Sequence, residues 1–180
     1  MIEVIKSMFR VNVFVNAMLF NGVWLACVVG SSKQLVWPAL LSCLVLAVYQ
    51  LAPKNRHPTD LKLVFLSVFL GVLVDTMWVQ FGLMDFTEKR PFSALAPGWI
   101  IVLWVGFALT VNHSLKWLKA HPALPAVTGA IAAPLTYFAG IKLGAVEYTA
   151  SVPLVSGALA VAWGISLTIL VKVAIHPSDD

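Results

Sequence analysis

Six apolar segments, each near the length needed to cross a lipid bilayer, dominate this sequence. They cover residues 11–30, 35–51, 61–84, 98–118, 124–146 and 152–174. A helix of about 20 residues spans the hydrocarbon core at roughly 1.5 Å per residue. Since 60% of the residues are hydrophobic and only 11% are charged, a water-soluble fold of this size would have too little polar surface. We therefore predict an all-α polytopic membrane protein, a single domain built as a bundle of six transmembrane helices.

Lysine and arginine side chains predict the orientation of this bundle. If the N-terminus lies in the cytoplasm, the inner side carries Lys6, Arg10, Lys54, Arg56, Lys62, Lys116, Lys119 and Lys172, and the outer side carries Lys33, Lys89, Arg90 and Lys142. Short cytoplasmic loops are enriched in these residues, so both termini are predicted to be cytoplasmic. Because the basic residues are scattered through short loops, they fit lipid headgroups, and no nucleic acid partner is predicted.

Asp75 lies deep in the third apolar segment, with no compensating charge next to it in the sequence. A carboxylate in hydrocarbon costs roughly 3 kcal/mol on insertion scales. Asp75 must therefore meet a partner on another helix, face water or stay protonated. Such a residue is by default a candidate functional site, although a structural hydrogen bond between helices is the plain alternative.

The fifth segment provides partners for Asp75 at a similar depth. Counted from the inner boundary, Asp75 and Tyr137 both lie about 20 Å up, and Lys142 about 27 Å up. The three side chains can meet if segments three and five touch, with Trp78 on the same helix face as Asp75. For Lys142, the plain alternative is an extended side chain that reaches the outer headgroups.

A second polar group is predicted about 13 Å lower in the bilayer. Asn16 in the first segment and His113 in the fourth both lie about 7 Å from the inner boundary, and Asn112 adjoins His113. An imidazole can act as an acid or a base near neutral pH, and asparagine can orient it or bind a carbonyl. Polar contacts that only join helices are the alternative.

Asp75 and His113 are therefore the candidate catalytic residues. The candidate substrate-binding residues are Asn16, Trp24, Trp78, Asn112, Tyr137 and Lys142. The four histidines form no clustered metal motif, and Cys27 and Cys43 have no metal-ligand spacing, so we predict no metal and no cofactor. Small residues at four-residue spacing predict close packing of segments five and six. No internal repeat is evident.

Four short blocks carry a resemblance to a known family. They are Asn21–Trp24, Val74-Asp75, Trp104–Trp117 and Pro134–Ala145. Through these blocks, nearly the whole chain resembles domain-of-unknown-function family 2878, a bacterial family of small multi-pass inner-membrane proteins. The family has no established activity, so it supplies no catalytic residues. Members of the family are often encoded near enzymes similar to cyclopropane-fatty-acid synthases. The resemblance thus implies a lipid-modification setting, with membrane lipid and a lipid-modifying enzyme as partners.

Three functional hypotheses follow. The first is a lipid-handling or lipid-modifying protein of the bacterial inner membrane that takes a fatty-acyl or isoprenoid substrate into a buried polar pocket, and it predicts a side opening between helices. The second is a small proton-linked carrier or permease, and the third is a non-catalytic scaffold or assembly partner. Whether the protein is an enzyme stays open at this point, and the sequence is also compatible with a homo-oligomer.

Overall fold

The computed structural model describes residues 2–88 and 94–175. Within them the chain forms six α-helices, one short 3-10 helix and two three-residue strands. In chain order these are α1 (Ile2–Ser32), α2 (Trp37–Leu51), α3 (Asp60–Gln80), β1 (Met84–Phe86), α4 (Gly98–Val111), the 3-10 helix (Lys116–Ala120), α5 (Leu124–Lys142), β2 (Val146–Tyr148) and α6 (Val152–Ala174).

All six predicted apolar segments are helical over most of their length, and α6 has the predicted bounds. Four stretches are long and apolar enough to cross a membrane, namely Val11–Ser32, Asp60–Gln80, Leu124–Lys142 and Val152–Ala174. The helices α2 and α4 have only 15 and 14 residues, fewer than the roughly 20 of a full span. Of the charge pattern used for orientation, Lys89 and Arg90, together with the side chains of Lys6 and Arg10, lie outside the described residues.

The prediction that the fourth helix runs through residue 118 is wrong. The helix ends at Val111, and the backbone N–H groups of His113 and Leu115 both bond to the carbonyl of Thr110. Asn112 and Ser114 then direct their side chains to residues of other elements, as short polar side chains do when they compete with helical hydrogen bonds. His113 therefore lies in a turn beyond the helix.

The helix α4 is the centre of the bundle. It packs against α1, α2, α3 and α6, and Trp104, Ala108, Leu109 and Val111 are almost completely buried. The outer helices instead expose large apolar side chains, with Phe65 78% and Phe69 65% exposed. Many exposed large apolar side chains are expected on a surface that contacts lipid or another protein.

The two strands reveal an internal repeat that the sequence analysis missed. Each of α3 and α5 ends in a turn with a glycine at positive φ, Gly82 at 61° and Gly144 at 76°, and each turn leads into one strand. The strands pair antiparallel with Asp85 opposite Glu147 at the centre. In sequence, 81–87 reads Phe-Gly-Leu-Met-Asp-Phe-Thr and 143–149 reads Leu-Gly-Ala-Val-Glu-Tyr-Thr. The segments 81–87 and 143–149 are therefore related by the local twofold axis of the antiparallel pair.

The bundle has two distinct ends. The end that carries β1 and β2 is called the strand end. The opposite end, where α3 begins, is called the Asp60 end. The hydroxyl of Thr59, the residue before α3, donates to the carbonyl of Ala174, the last residue of α6, over 3.5 Å, so α6 finishes at the Asp60 end.

Close packing of α5 against α6, predicted from small residues, is confirmed. A Cβ atom on Gly129 would lie 2.4 Å from the carbonyl oxygen of Trp163, and one on Gly164 would lie 3.1 Å from that of Ala126. The backbones of the two helices approach each other too closely for a side chain at either glycine, which is how small residues join membrane helices.

This contact predicts opposite effects for two Gly→Ala substitutions. Gly129→Ala should destabilise the protein by about 1–3 kcal/mol, because the new methyl group must displace backbone atoms. Gly157→Ala meets nothing within 4 Å and should be neutral or stabilising by up to about 1 kcal/mol through higher helix propensity. Thermal unfolding in detergent measures both, and equal stability of the two variants would contradict the packing.

Candidate functional site

Asp75 is completely buried and finds its partners on two other helices. The indole Nε1–H of Trp104 on α4 donates to its Oδ2 over 2.7 Å, and the Tyr137 hydroxyl on α5 donates to its Oδ1. Hydrogen bonds to a charged group contribute about 1.5–3 kcal/mol each. Two such donors offset a large part of the cost of a carboxylate at this depth.

Tryptophan side chains surround the Asp75–Tyr137 pair. Trp104 stacks on Trp163 of α6, with ring centroids 4.4 Å apart and planes at 16°. Within residues 2–88 and 94–175, the buried indole N–H groups of Trp78 and Trp163 have no hydrogen-bond partner. The pair is thus held inside an aromatic shell in which two N–H donors remain available.

Gly71 makes room for this arrangement. A Cβ atom there would lie 2.3 Å from the Trp104 ring, so any larger residue would push the indole away from Asp75. The absence of a side chain at position 71 therefore positions one of the two donors to the carboxylate.

An apolar groove of about 600 Å³ adjoins this pair. Its wall is formed by α1, α4, α5 and α6, and its largest side chains are aromatic, namely Phe20, Trp24, Phe107 and Trp163. Along α5 it runs from Thr128 to Ala139, a length of about 16 Å. Tyr137 lies in the wall, so its ring faces the groove while its hydroxyl bonds to Asp75.

A second polar cluster is centred on Asp60, a residue that the sequence analysis did not select. Asp60 is completely buried, and His113 Nε2 lies 3.0 Å from its Oδ2. Asn112 Nδ2 donates to Oδ1 over 2.8 Å, and the backbone N–H of His57 donates to Oδ2 over 2.8 Å. The cluster joins the start of α3 to the turn that follows α4.

The direction of the hydrogen bonds fixes the tautomer of His113. The backbone N–H of Ser114 can only donate, so Asn16 Oδ1 accepts from it over 3.2 Å. Asn16 Nδ2 then donates to Gln50 Oε1 over 2.7 Å and to the carbonyl of Leu109 over 2.9 Å. Gln50 Nε2 consequently donates to His113 Nδ1 over 3.1 Å. The proton of the imidazole therefore sits on Nε2 and is donated to Asp60.

The two clusters are separate. Asp60 and Asp75 are both on α3, about 22 Å apart along its axis. Both ring nitrogens of His113 are occupied by Gln50 and Asp60, so His113 has no free nitrogen with which to serve as the acid–base partner of Asp75. Asn16 and Asn112 belong to the Asp60 cluster, and Trp24 and Tyr137 to the groove.

Lys142 does not join the Asp75–Tyr137 pair, contrary to the three-residue cluster considered in the sequence analysis. Its side chain is exposed, and its Nζ lies 5.2 Å from the centroid of the Phe138 ring. This is the placement expected of a lysine that reaches toward the headgroups. In residues 2–88 and 94–175, no group of three or more histidine, cysteine, aspartate or glutamate side chains is arranged to hold a metal ion.

Several site residues were missed because their signals in the sequence are weak. Asp60 looks like an ordinary acidic residue in the first turn of a helix, and Gln50 looks like the polar end of an apolar run. Gly71 looks like one small residue among many. Nothing in the sequence neighbourhood of Trp104 marks it as the donor to Asp75.

The fold and the site define an all-helical protein with four described helices long and apolar enough to cross a membrane, and with a buried carboxylate near an apolar groove. Comparison with family models then places the chain: it belongs to the family described as "Protein of unknown function (DUF2878)", whose model matches residues 13–169. This match confirms the resemblance noted in the sequence. No curated protein and no solved structure matches the chain.

The Asp60 cluster predicts different roles for two asparagines of α1. Asn16→Leu should destabilise the protein by about 1–3 kcal/mol for each partner left unsatisfied, because Gln50 Oε1 and the Ser114 hydroxyl lose their contacts. Asn21→Leu should have little effect, since Asn21 is exposed and bonds only to the carbonyl of Ala17 one turn earlier.

Thermal unfolding of both variants in the same detergent tests this difference. Equal stability of Asn16→Leu and Asn21→Leu would show that the network from Ser114 to Asp60 does not hold the helices together.

Proposed function

We propose that this protein is a lipid-handling protein of the bacterial inner membrane, with both termini in the cytoplasm. The groove binds one fatty-acyl or isoprenoid chain, and the Asp75–Tyr137 pair receives a polar or unsaturated group of that chain. The observation that carries the proposal is the position of Tyr137, which is both part of the apolar wall and a hydrogen-bond donor to a buried carboxylate.

The lining of the groove supports an apolar occupant. Most of its surface comes from aromatic and aliphatic side chains, with a few hydroxyl groups such as Thr110, Ser114 and Thr136. Ligand sites typically combine an apolar lining with a few placed polar groups. Leu135, which lines the groove, is 65% exposed, and Ile131 beside the groove is 60% exposed, so a chain can enter from the lipid side.

The chemistry available beside Tyr137, at the end of the groove closer to the strands, is proton transfer or hydrogen bonding. An ionised Asp75 accepts the single hydroxyl proton of Tyr137 and can take it as a base. When Asp75 is protonated it can instead donate to the Tyr137 oxygen, and the hydroxyl proton is then available to a substrate oxygen. Asp75 and Tyr137 are therefore the proposed reacting pair. In this proposal His113 does not contact the substrate. Its role is structural, because its bond to Asp60 holds the start of α3 against the turn that follows α4.

Blocking the groove should reduce lipid retention. Ala132 lies in the groove wall, so Ala132→Trp should decrease the co-purified lipid chain about tenfold or more, since the lost apolar contact amounts to at least about 1.4 kcal/mol. Native mass spectrometry of the solubilised protein measures the bound lipid.

A matched control comes from the adjacent residue. Ile131 is 60% exposed and lies outside the groove lining, so Ile131→Trp should leave lipid retention unchanged. Loss of lipid in both variants, or in neither, would count against a specific groove site.

Substitution of Asp75 separates a functional from a structural role. Asp75→Asn keeps an oxygen that accepts from Trp104, and the Tyr137 hydroxyl can rotate to accept from the amide, so the stability should change by less than about 1 kcal/mol. We expect this variant to fold but to fail to restore the membrane lipid composition of a deletion strain.

The comparison variant is Asp75→Leu, which leaves both donors without an acceptor and should cost about 1–3 kcal/mol for each. Quantitative lipid profiling of strains with wild type, Asp75→Asn and no protein provides the measurement. A deletion strain with unchanged lipids, or full rescue by Asp75→Asn, would rule out the proposed chemistry and favour a scaffold.

A further inference from the structure

Asn21 is a polar residue of the groove wall that the proposed function does not use. It lies at the middle of the apolar stretch Val11–Ser32 and lines the groove from α1. Its side chain is exposed. A polar side chain at this depth in an apolar span is by default a candidate functional residue.

The hydrogen bond of Asn21 fixes the direction of its amide. Nδ2 donates to the carbonyl of Ala17 over 2.8 Å, and a carbonyl oxygen can only accept. In the part of the chain that the structure describes, this bond within α1 is the only one that the Asn21 side chain makes. Its Oδ1 is therefore an acceptor that no described donor satisfies.

The fold does not use this acceptor to join helices. An amide oxygen without a donor is unfavourable in an apolar surrounding, and asparagines in apolar spans commonly bond to a neighbouring helix. Asn16 does so, through Gln50 of α2 and the carbonyl of Leu109 on α4. Asn21 instead leaves its oxygen to whatever occupies the groove.

The depth of Asn21 follows from the residue before it. Phe20 packs against Gly106 of α4, where a Cβ atom would lie 3.5 Å from the Phe20 ring. Trp104, which donates to the buried carboxylate, is two residues from Gly106, about 3 Å along α4. Asn21 on α1 and Tyr137 on α5 therefore line the groove at depths that differ by no more than about one helical turn.

From this arrangement we infer that Asn21 binds the occupant of the groove and that this occupant carries a free hydroxyl group, as a long-chain alcohol does. Because Oδ1 accepts, it selects a polar group that can donate. A hydroxyl group can donate, whereas an ether or ester oxygen only accepts. The inference rests on the proposed function of the groove and names the class of lipid that the groove takes.

The test uses the full-length protein in detergent and two labelled probes, hexadecanol and hexadecyl methyl ether, which lacks the donor. The wild type should bind the alcohol about fivefold more tightly than the ether, the factor that one neutral hydrogen bond contributes. Asn21→Leu should weaken binding of the alcohol by the same factor and leave the ether unchanged. Since Asn21 bonds only within α1, the variant should fold.

Two control variants accompany this test. Asn12→Leu changes an exposed asparagine of the same helix that lies outside the groove lining, so it should bind both probes like the wild type. Ala132→Trp fills the groove and should weaken the binding of both probes.

The controls separate failure of this inference from failure of the proposed function. If Ala132→Trp weakens both probes but the wild type does not prefer the alcohol, or Asn21→Leu keeps that preference, the role of Asn21 is overturned and the groove remains a lipid site. If Ala132→Trp weakens neither probe, the proposed function fails. A changed oligomeric state of Asn21→Leu in light scattering would assign Asn21 to a contact between copies of the chain and would also overturn the inference.

Discussion

The hydrogen bond from Tyr137 to Asp75 is the contact around which this protein is organised. Asp75 and Tyr137 are separated by 62 residues, and the same interval separates Gly82 from Gly144 and Asp85 from Glu147. The two residues therefore occupy equivalent positions in sequence relative to the two glycine turns. Two aspartates there would repel each other and two tyrosines would compete for space. One donor and one acceptor resolve both problems and make the centre of the repeat asymmetric.

Because of this asymmetry, a hydrogen-bonded pair of polar side chains lies among apolar residues of the bundle. Trp104 can donate to Asp75 only because Gly71 has no side chain, and α5 can bring Tyr137 into place only because Gly129 lets it approach α6. The groove then passes the tyrosine ring. Close packing at Gly71 and Gly129 thus determines the geometry of the proposed site. Neither glycine would contact the polar group of a lipid bound in the groove.

Much of this arrangement could be predicted from the sequence, and there are physical reasons why the rest could not. Helix α6 was predicted to its ends because hydrophobicity alone determines them, and Asp75 and Tyr137 were placed at equal depth because the helical rise is constant. The fourth helix was extended too far, since Asn112 and Ser114 end it through contacts with distant residues. Asp60 was missed because a buried carboxylate at a helix start resembles an exposed one. The repeat was missed because its similarity is confined to seven residues around each glycine turn.

The central claim is that the groove beside Tyr137 holds a lipid chain, and a structure of the protein in lipid nanodiscs tests it most directly. The account predicts continuous elongated density between Phe20 and Trp163 that ends within hydrogen-bond distance of the Tyr137 hydroxyl. A groove closed by direct packing of α1 against α5, or one filled only with water, would contradict it.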